Sequence, residues 1–291
     1  MYLTKECAAL ARWMESQAKK RIEEVGGRKN LVFLFDPDDE AASSYVRQKV
    51  KACERVGIRS VCEKFANRFD PRHFFQLSCY ADGIIVQEPY PEELDNRDVR
   101  DFVAACITPS QDVDGLYYQR RYVPATALGI YFLLKFLFRG ETKGVDAAVL
   151  GRSWVTGLPI AEVLSRLLDM NVSIYHSRSG TEALLDAVES TVCVSCIGKP
   201  KIIGPELLSL AEEPTAAHSV FVDVGFGRDK NGKPCGDIDP AIEPDHIVTP
   251  VPGGVGPLTV AALMLNTAYG YSPTGLKPPS REELLKEFGD D

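Results

Sequence analysis

Tyr45 and Lys49 stand four residues apart in Ser44-Tyr45-Val46-x-x-Lys49, so on a helix their side chains share one face. A phenol beside an ammonium is a proton-handling pair: the cation lowers the phenol's pKa, and desolvation lowers the lysine's own. The same spacing fits a solvated helix face, and spacing alone favours that plainer reading. Gln87 closes the apolar run Gly83-Ile-Ile-Val-Gln87 ahead of Glu88-Pro89-Tyr90-Pro91, whose prolines stop strand and helix alike. A polar amide at the C-terminal end of a parallel strand lies where α/β proteins bind ligands, or it simply caps the strand. Asp112-Val113-Asp114-Gly115 sets two carboxylates near the join of two halves, in a ligand site or in an ordinary turn. No glutamate follows at the calcium-loop position, so a bound calcium is not expected.

A second set of residues suits a phosphate. Ala147 to Leu150 is a short apolar run that fits a buried parallel strand, and it stops at Gly151-Arg152-Ser153. From Pro159 the apolar positions Ile160, Val163, Leu164, Leu167 and Leu168 take helical spacing. Strand, glycine turn and helix N-terminus together favour an anion, through free N–H groups and the helix dipole. Gly151 and Gly157 stand six apart, which is not Gly-x-Gly-x-x-Gly, so an ordinary βα connection fits equally well. The next strand, from Asn171, ends in His176-Ser177-Arg178, where an NAD-binding unit carries an acidic residue for the ribose. Hydroxyl and guanidinium groups suit a 2′-phosphate instead, which favours NADP over NAD; a solvated polar turn is the alternative. Thr249-Pro-Val-Pro252-Gly253-Gly254-Val-Gly-Pro257 lets backbone approach a flat ligand, or serves as a stiff connector.

The elements that must position these residues alternate between strand and helix. Lys5 to Glu24 reads as an amphipathic helix ended by Gly26-Gly27, Leu31 to Phe35 as a buried strand, and Ser43 to Val56 as a helix stopped by Gly57. Apolar runs at Ser60–Cys62 and Gly83–Gln87 alternate with helices near Pro71–Cys79 and Pro91–Cys106. After a buried helix from Ala125 to Phe138, strands begin near Ala147, Val172, Val192, Val220 and Ile247, with helices between the first four. A last helix, Pro257 to Thr267, precedes a Gly/Pro-rich and then charged tail. The pattern predicts an α/β protein of two domains, each with its own mostly parallel sheet.

Composition narrows the function. A net charge of −8 excludes a nucleic-acid footprint, which needs clustered cations. The apolar run Gly129–Phe138 is too short to span a bilayer and carries Lys135. The first residues carry charge and no leader-like apolar region, which predicts a cytoplasmic protein. The eight cysteines then read as reduced, mostly core residues; Cys193-Val-Ser-Cys196 lies in a strand, where its thiols point to opposite faces, and no metal is expected.

In order along the chain these pieces resemble one family, the bifunctional methylenetetrahydrofolate dehydrogenase/cyclohydrolases of one-carbon metabolism. The resemblance runs from about residue 29 to 267 and includes the motifs above, with Val86-Gln87-x-Pro89-x-Pro91, Gly151-Arg152-Ser153-x-Val155-x-Gly157-x-Pro159, Gly198-Lys199-Pro200, Asp223-Val224-Gly225 and Gly236-Asp237-Ile238-Asp239. It implies NADP-dependent oxidation of the methylene bridge, then hydrolysis of the methenyl bridge to the 10-formyl form, on tetrahydrofolate derivatives. It implies Lys49 as the catalytic lysine, Gln87 positioning it, Tyr45 stacking on or orienting the pterin, and Asp114 anchoring the ring. By the same resemblance Pro252, Gly253 and Gly254 would border the substrate, and Gly151, Arg152, Ser153, His176, Ser177, Arg178 and Gly198 would hold NADP. Also implied are a homodimer and a Rossmann-like NADP-binding domain at 124–262, between a folate domain at 1–123 and a segment 263–291 returning to it. Two departures stand out. Only Leu116 to Val123 separate Asp-Val-Asp-Gly from Pro124-Ala-Thr-Ala127, a shorter loop than the family's, and the strand after Glu189 lacks Ala-Asp-Ile. They leave open a member with one activity, or a cofactor-binding protein with degraded catalysis. A short-chain dehydrogenase fits less well, because its Tyr-x-x-x-Lys follows the nucleotide unit.

Overall fold

The computed structural model describes residues 1–64, 71–88, 96–117, 121–211 and 219–289. They form two compact units, one of 14–125 with 260–276, the other of 1–13, 126–259 and 277–291. Helix α1 (Thr4–Glu24) contributes residues to both.

The first unit holds a parallel sheet of β1 (Asn30–Phe35), β2 (Arg59–Lys64) and β3 (Gly83–Val86), in the order β2-β1-β3. Between the strands lie α2 (Glu40–Val56) and α3 (Pro71–Ser78), and α4 (Asn96–Cys106) follows. Alternate strand residues feed one core, where Val32, Leu34, Ile84 and Val86 meet Leu77, Val103 and Ile107. Helix α2 starts at Glu40, earlier than the periodicity from Ser43 predicts, because the Asp39 carboxylate accepts the Ala42 N–H at 2.7 Å and caps it. Gly57, at φ 83°, ends it in the left-handed region.

The second unit includes α5 (Ala125–Leu137) from Thr126 on, a helix of almost wholly buried apolar residues. Its sheet comprises β4 (Asp146–Leu150), β5 (Asn171–Tyr175), β6 (Val192–Ser195), β7 (Val220–Asp223) and, after the β8 (Gly227–Arg228) and β9 (Pro234–Cys235) hairpin, β10 (Ile247–Val248). The order is β10-β7-β6-β4-β5, all pairs parallel. Between these strands run α6 (Gly157–Leu167), α7 (Glu182–Glu189) and the single turn α8 (Pro205–Leu208). The chain leaves β5 and returns on the other side of β4, so the carboxyl ends of β4 to β6 make the crevice where such sheets bind ligands.

Helix α9 (Val255–Tyr269) brings Asn266 into the first unit, where its amide donates to the carbonyls of Val113 (2.9 Å) and Val123 (3.1 Å). The charged tail is ordered as α10 (Arg281–Phe288), with a capping box between Ser280 and Glu283. The sequence places 277–291 and the first residues with the folate half. The structure groups 1–13 and 277–291 with the five-stranded sheet. Leu3 N–H joins Val248 O at 2.9 Å, Arg281 pairs with Glu6, and Arg12 reaches Phe288 O. The cysteines are less uniformly internal than expected: Cys7, Cys53 and Cys193 are buried, whereas Cys62 and Cys79 are exposed.

Candidate functional site

Helix α2 buries Ala42, Val46, Lys49, Cys53 and Val56, a stripe at spacings of three and four with an ammonium in its middle. Lys49 is 5% exposed, and its Nζ donates to Gln87 Oε1 at 2.8 Å. Gln87 continues the β3 ladder through its N–H to Leu34 O at 2.8 Å, and its own amide donates to Glu88 O, which fixes the oxygen towards Lys49. Burial holds the Lys49 pKa below the ordinary lysine value, and the nearby Asp114 carboxylate partly restores it. Tyr45 lies one turn before Lys49, 37% exposed, with its hydroxyl pKa raised by desolvation. Tyr45, Lys49, Gln87 and Asp114 therefore belong to one unit, and Lys49 touches Gln87 and feels Asp114 directly.

The two carboxylates of Asp112-Val-Asp114 do different work. Asp112 is 1% exposed and accepts the N–H groups of Leu116 (3.1 Å) and Tyr117 (2.8 Å). It folds the short loop back on itself. Gly115, at φ 73°, lies so close to Tyr122 O that a Cβ would approach it to 2.8 Å. Tyr122 is buried and donates to Ser110 O at 2.9 Å, while the Ser272 hydroxyl accepts the Val123 N–H at 2.7 Å. The described ends of the shortened connection are thus tied to Asp112, Ser110 and Ser272. Pro89, Pro91 and Tyr118 lie outside the described residues.

In the other unit, Gly151 follows β4 at φ 115°, and a Cβ there would approach Cys196 O to 2.9 Å. A Cβ on Gly157 would overlap the Gly151 carbonyl. The six-residue glycine spacing is explained by this contact: the first turn of α6 presses on the strand end. Ser153 Oγ accepts the N–H groups of Thr156 at 3.2 Å and Gly157 at 3.4 Å and bonds the Thr156 hydroxyl, so it is engaged in the turn that leads into α6. Arg152, Ser177 and Arg178 are exposed at the ends of β4 and β5, and His176 Nδ1 accepts the Arg178 N–H at 3.1 Å. Gly198, at φ 75°, follows β6. These residues share the carboxyl end of one sheet, so a dinucleotide fits the cradle: glycines allow close approach and cations stand beside it. Pro252, Gly253 and Gly254 belong to the same unit, after the cis Val251–Pro252 bond. Among the described residues no cluster of His, Cys, Asp and Glu could hold a metal, and no helix is long and apolar enough to cross a membrane.

Motif spacing assigns no task to Asp223 and Asp237. Both are buried, and desolvation raises Asp223 to about 7 despite three backbone N–H donors. Their sequence signal is an Asp two residues before a glycine, and a glycine immediately before an Asp.

Comparison with known proteins agrees with this geometry. Residues 6–114 match the family described as tetrahydrofolate dehydrogenase/cyclohydrolase, catalytic domain, and residues 124–273 match its NAD(P)-binding domain. The bifunctional protein FolD of Methanoculleus marisnigri is 36% identical over 267 residues, covering 86% of this chain and 89% of its own. That of Lachnoclostridium phytofermentans is 35% identical over 280 residues, covering 88% and 93%. Among solved structures, the FolD methylenetetrahydrofolate dehydrogenase/cyclohydrolase of Campylobacter jejuni superposes with a TM-score of 0.79 at 27% identity, covering 93% of this chain and 98% of that one. A 5,10-methylenetetrahydrofolate dehydrogenase from the silkworm, Bombyx mori, gives 0.77 at 29%, with the same coverage.

The buried ammonium has a measurable consequence. Its folded pKa lies below the unfolded one, so the charge costs stability at neutral pH, and the cost fades as pH rises through the folded value towards the unfolded one. Lys49→Met should therefore unfold no more easily than wild type at pH 7. A gain of about 1 kcal/mol, roughly 2–4 °C in Tm, is expected, shrinking towards pH 10. Thermal unfolding of both proteins from pH 6 to 10 checks this; a variant several degrees less stable at pH 7 would show that the ammonium holds the fold together.

Proposed function

The chain belongs to the tetrahydrofolate dehydrogenase/cyclohydrolase family, and from that premise we propose how its own residues divide the two reactions. The substrate is 5,10-methylenetetrahydrofolate. Oxidation to the methenyl form passes a hydride from the bridging carbon to a nicotinamide, the chemistry that the bound dinucleotide supplies. Asp114 takes the N–H donors of the pterin ring, a charge-assisted match for a carboxylate, and Tyr45 orients the ring from the exposed turn of α2. Pro252, Gly253 and Gly254 border the substrate with little side-chain bulk.

Hydrolysis of the methenyl bridge falls to Lys49. As water adds to the bridging carbon, neutral Lys49 accepts one of its protons. As the bond from that carbon to the ring nitrogen breaks, the ammonium returns a proton to the nitrogen. The added hydroxyl loses its own proton to solvent as the formyl carbonyl forms. One water is consumed and one proton released, as the conversion of a methenyl cation to a neutral formyl product requires. Gln87 fixes the lysine in place and Asp114 keeps its pKa from falling too far. The observation that carries this reading is the buried Lys49, bonded to Gln87 and within the field of Asp114.

NADP is the proposed cofactor. The turn after β5 offers Ser177 and Arg178 where an acidic residue would select NAD, and Arg152 stands on the turn after β4. Gly151, Ser153, His176 and Gly198 shape the backbone around them. We place the enzyme in the cytoplasm, with eight free thiols to support a reducing compartment. We also propose a homodimer: β5 is an edge strand, and Ile174 on it is 42% exposed.

Three measurements test the reading. Lys49→Met should lower methenyl hydrolysis by roughly 10²–10⁴, the usual worth of a positioned acid–base group, and the hydride step less; a folded variant hydrolysing at the wild-type rate removes Lys49 from the mechanism. Arg152→Ala should raise KM for NADP by about 10-fold or more while NAD changes little; equal losses for both, or a wild type preferring NAD, would sink the cofactor assignment. Sedimentation at micromolar concentration should give a dimer, and a monomer there would discard the β5 interface.

A further inference from the structure

The ends of β6 and β7 are joined by two buried carboxylates that the proposed chemistry leaves without a task. Asp237 is 1% exposed, and its Oδ2 accepts three hydrogen bonds: from Ser195 Oγ at 2.7 Å, Ile197 N at 2.8 Å and Gly198 N at 3.1 Å. Asp223, 3% exposed, does the same for the returning chain, accepting from Gly225 N at 3.0 Å, Asp237 N at 3.1 Å and Ile238 N at 2.8 Å. Each carboxylate lies flat on the other's glycine: a Cβ on Gly225 would overlap the Asp237 carboxyl, and one on Gly236 the Asp223 carboxyl. The two Asp–Gly pairs act as a buckle that closes the β8–β9 excursion.

The loop held by this buckle is the one beside the dinucleotide turn. Cys196 N donates to Leu150 O at 2.8 Å, extending the β4–β6 ladder by one residue, and Gly151 packs on the Cys196 carbonyl. Ile197 and Gly198 come next, at the crevice that the strand order creates. Where a strand leads directly into a helix, free N–H groups at the helix N-terminus can take a phosphate. Here the N–H groups of Ile197 and Gly198 are turned inward on Asp237, so the loop meets a ligand with its carbonyls, its αL glycine and the exposed Lys199. One buried oxygen thus sets which polar groups this side of the crevice presents.

We propose that Asp237 is a positioning residue for the dinucleotide, holding Ile197–Gly198, at the carboxyl end of β6, in the conformation that would meet the cofactor. The inference rests on the NADP-binding reading above. Its reach is selective, because hydrolysis of the methenyl bridge needs water and no dinucleotide.

The test uses the full-length enzyme and two assays: NADP-dependent oxidation of methylenetetrahydrofolate, and hydrolysis of methenyltetrahydrofolate without nucleotide. Asp237→Ala should raise KM for NADP by about 10-fold or more, with dehydrogenase kcat changed less than KM and hydrolysis near wild type. Asp237→Asn can place its carbonyl oxygen where Oδ2 stands and keep all three acceptor bonds, so it should bring KM back to within about 3-fold. Should the alanine variant fail to fold, Ser195→Ala takes its place, removing the hydroxyl that orients the carboxylate; a 2–5-fold rise in KM for NADP is then expected. An unchanged KM in a folded Asp237→Ala, or in Ser195→Ala where that substitute is needed, overturns the proposal. So does a loss of hydrolysis in parallel with oxidation, since that marks a merely structural role. A wild type that hydrolyses the methenyl substrate yet reduces neither dinucleotide would remove the cofactor reading itself, and the inference with it.

Discussion

An ammonium on the buried stripe of a helix is the constraint from which the first unit is best understood. Lys49 occupies a position that Val46, Cys53 and Val56 would lead one to fill with an apolar residue. Burying it costs free energy unless its protons find acceptors and its charge finds an opposite one. The fold meets both needs from separate elements. Gln87, at the end of β3, supplies the acceptor, and Asp114, in the segment that begins alongside β3 through the Ile84 N–H to Gln111 O bond, supplies the charge. The β2-β1-β3 order brings those carboxyl ends beside α2. Burial lowers the pKa of Lys49, the direction a lysine needs if it is to exchange protons with a substrate.

Much of the architecture was legible because its cause is local. Short apolar runs marked the strands of the second sheet other than β5, whose Asn-Val-Ser-Ile-Tyr is mixed, and the alternation with helices implied that they are parallel. Cap chemistry moves one helix start and adds one helix: Asp39 starts α2 before its apolar stripe begins, and Ser280-x-x-Glu283 starts a helix in what composition marks as a charged tail. The grouping of the chain's first residues and tail rests on contacts such as Arg281 with Glu6, some 275 residues apart, which no local pattern encodes.

The site was legible in part, and unevenly. Tyr45 and Lys49 could be paired from helical spacing, yet spacing could not say whether their face was solvated. The decisive signal, a lysine within an apolar stripe, was present in Val46, Lys49, Cys53 and Val56. The glycine turn after β4 resisted the usual dinucleotide pattern because its spacing answers to packing: Gly157 is pressed on Gly151, and Gly151 on Cys196. Ser153 shows the same division of labour, since it ties the turn before α6 while standing at the carboxyl end of the sheet.

Carboxylates mark the boundary of what sequence can disclose. Asp39, Asp112, Asp223 and Asp237 all turn their oxygens on backbone N–H groups, holding a helix start, a shortened loop and a buckle between two strands. Asp114, two residues after Asp112, acts through its charge on a buried lysine instead. The letters are identical; what separates the roles is where N–H donors point once the backbone is folded. A carboxylate whose lone pairs are already filled by backbone donors can shape a site but has little left for a ligand. Within Asp-x-Asp-Gly, then, the first acid builds the turn, and the second is left to act through its charge on the lysine.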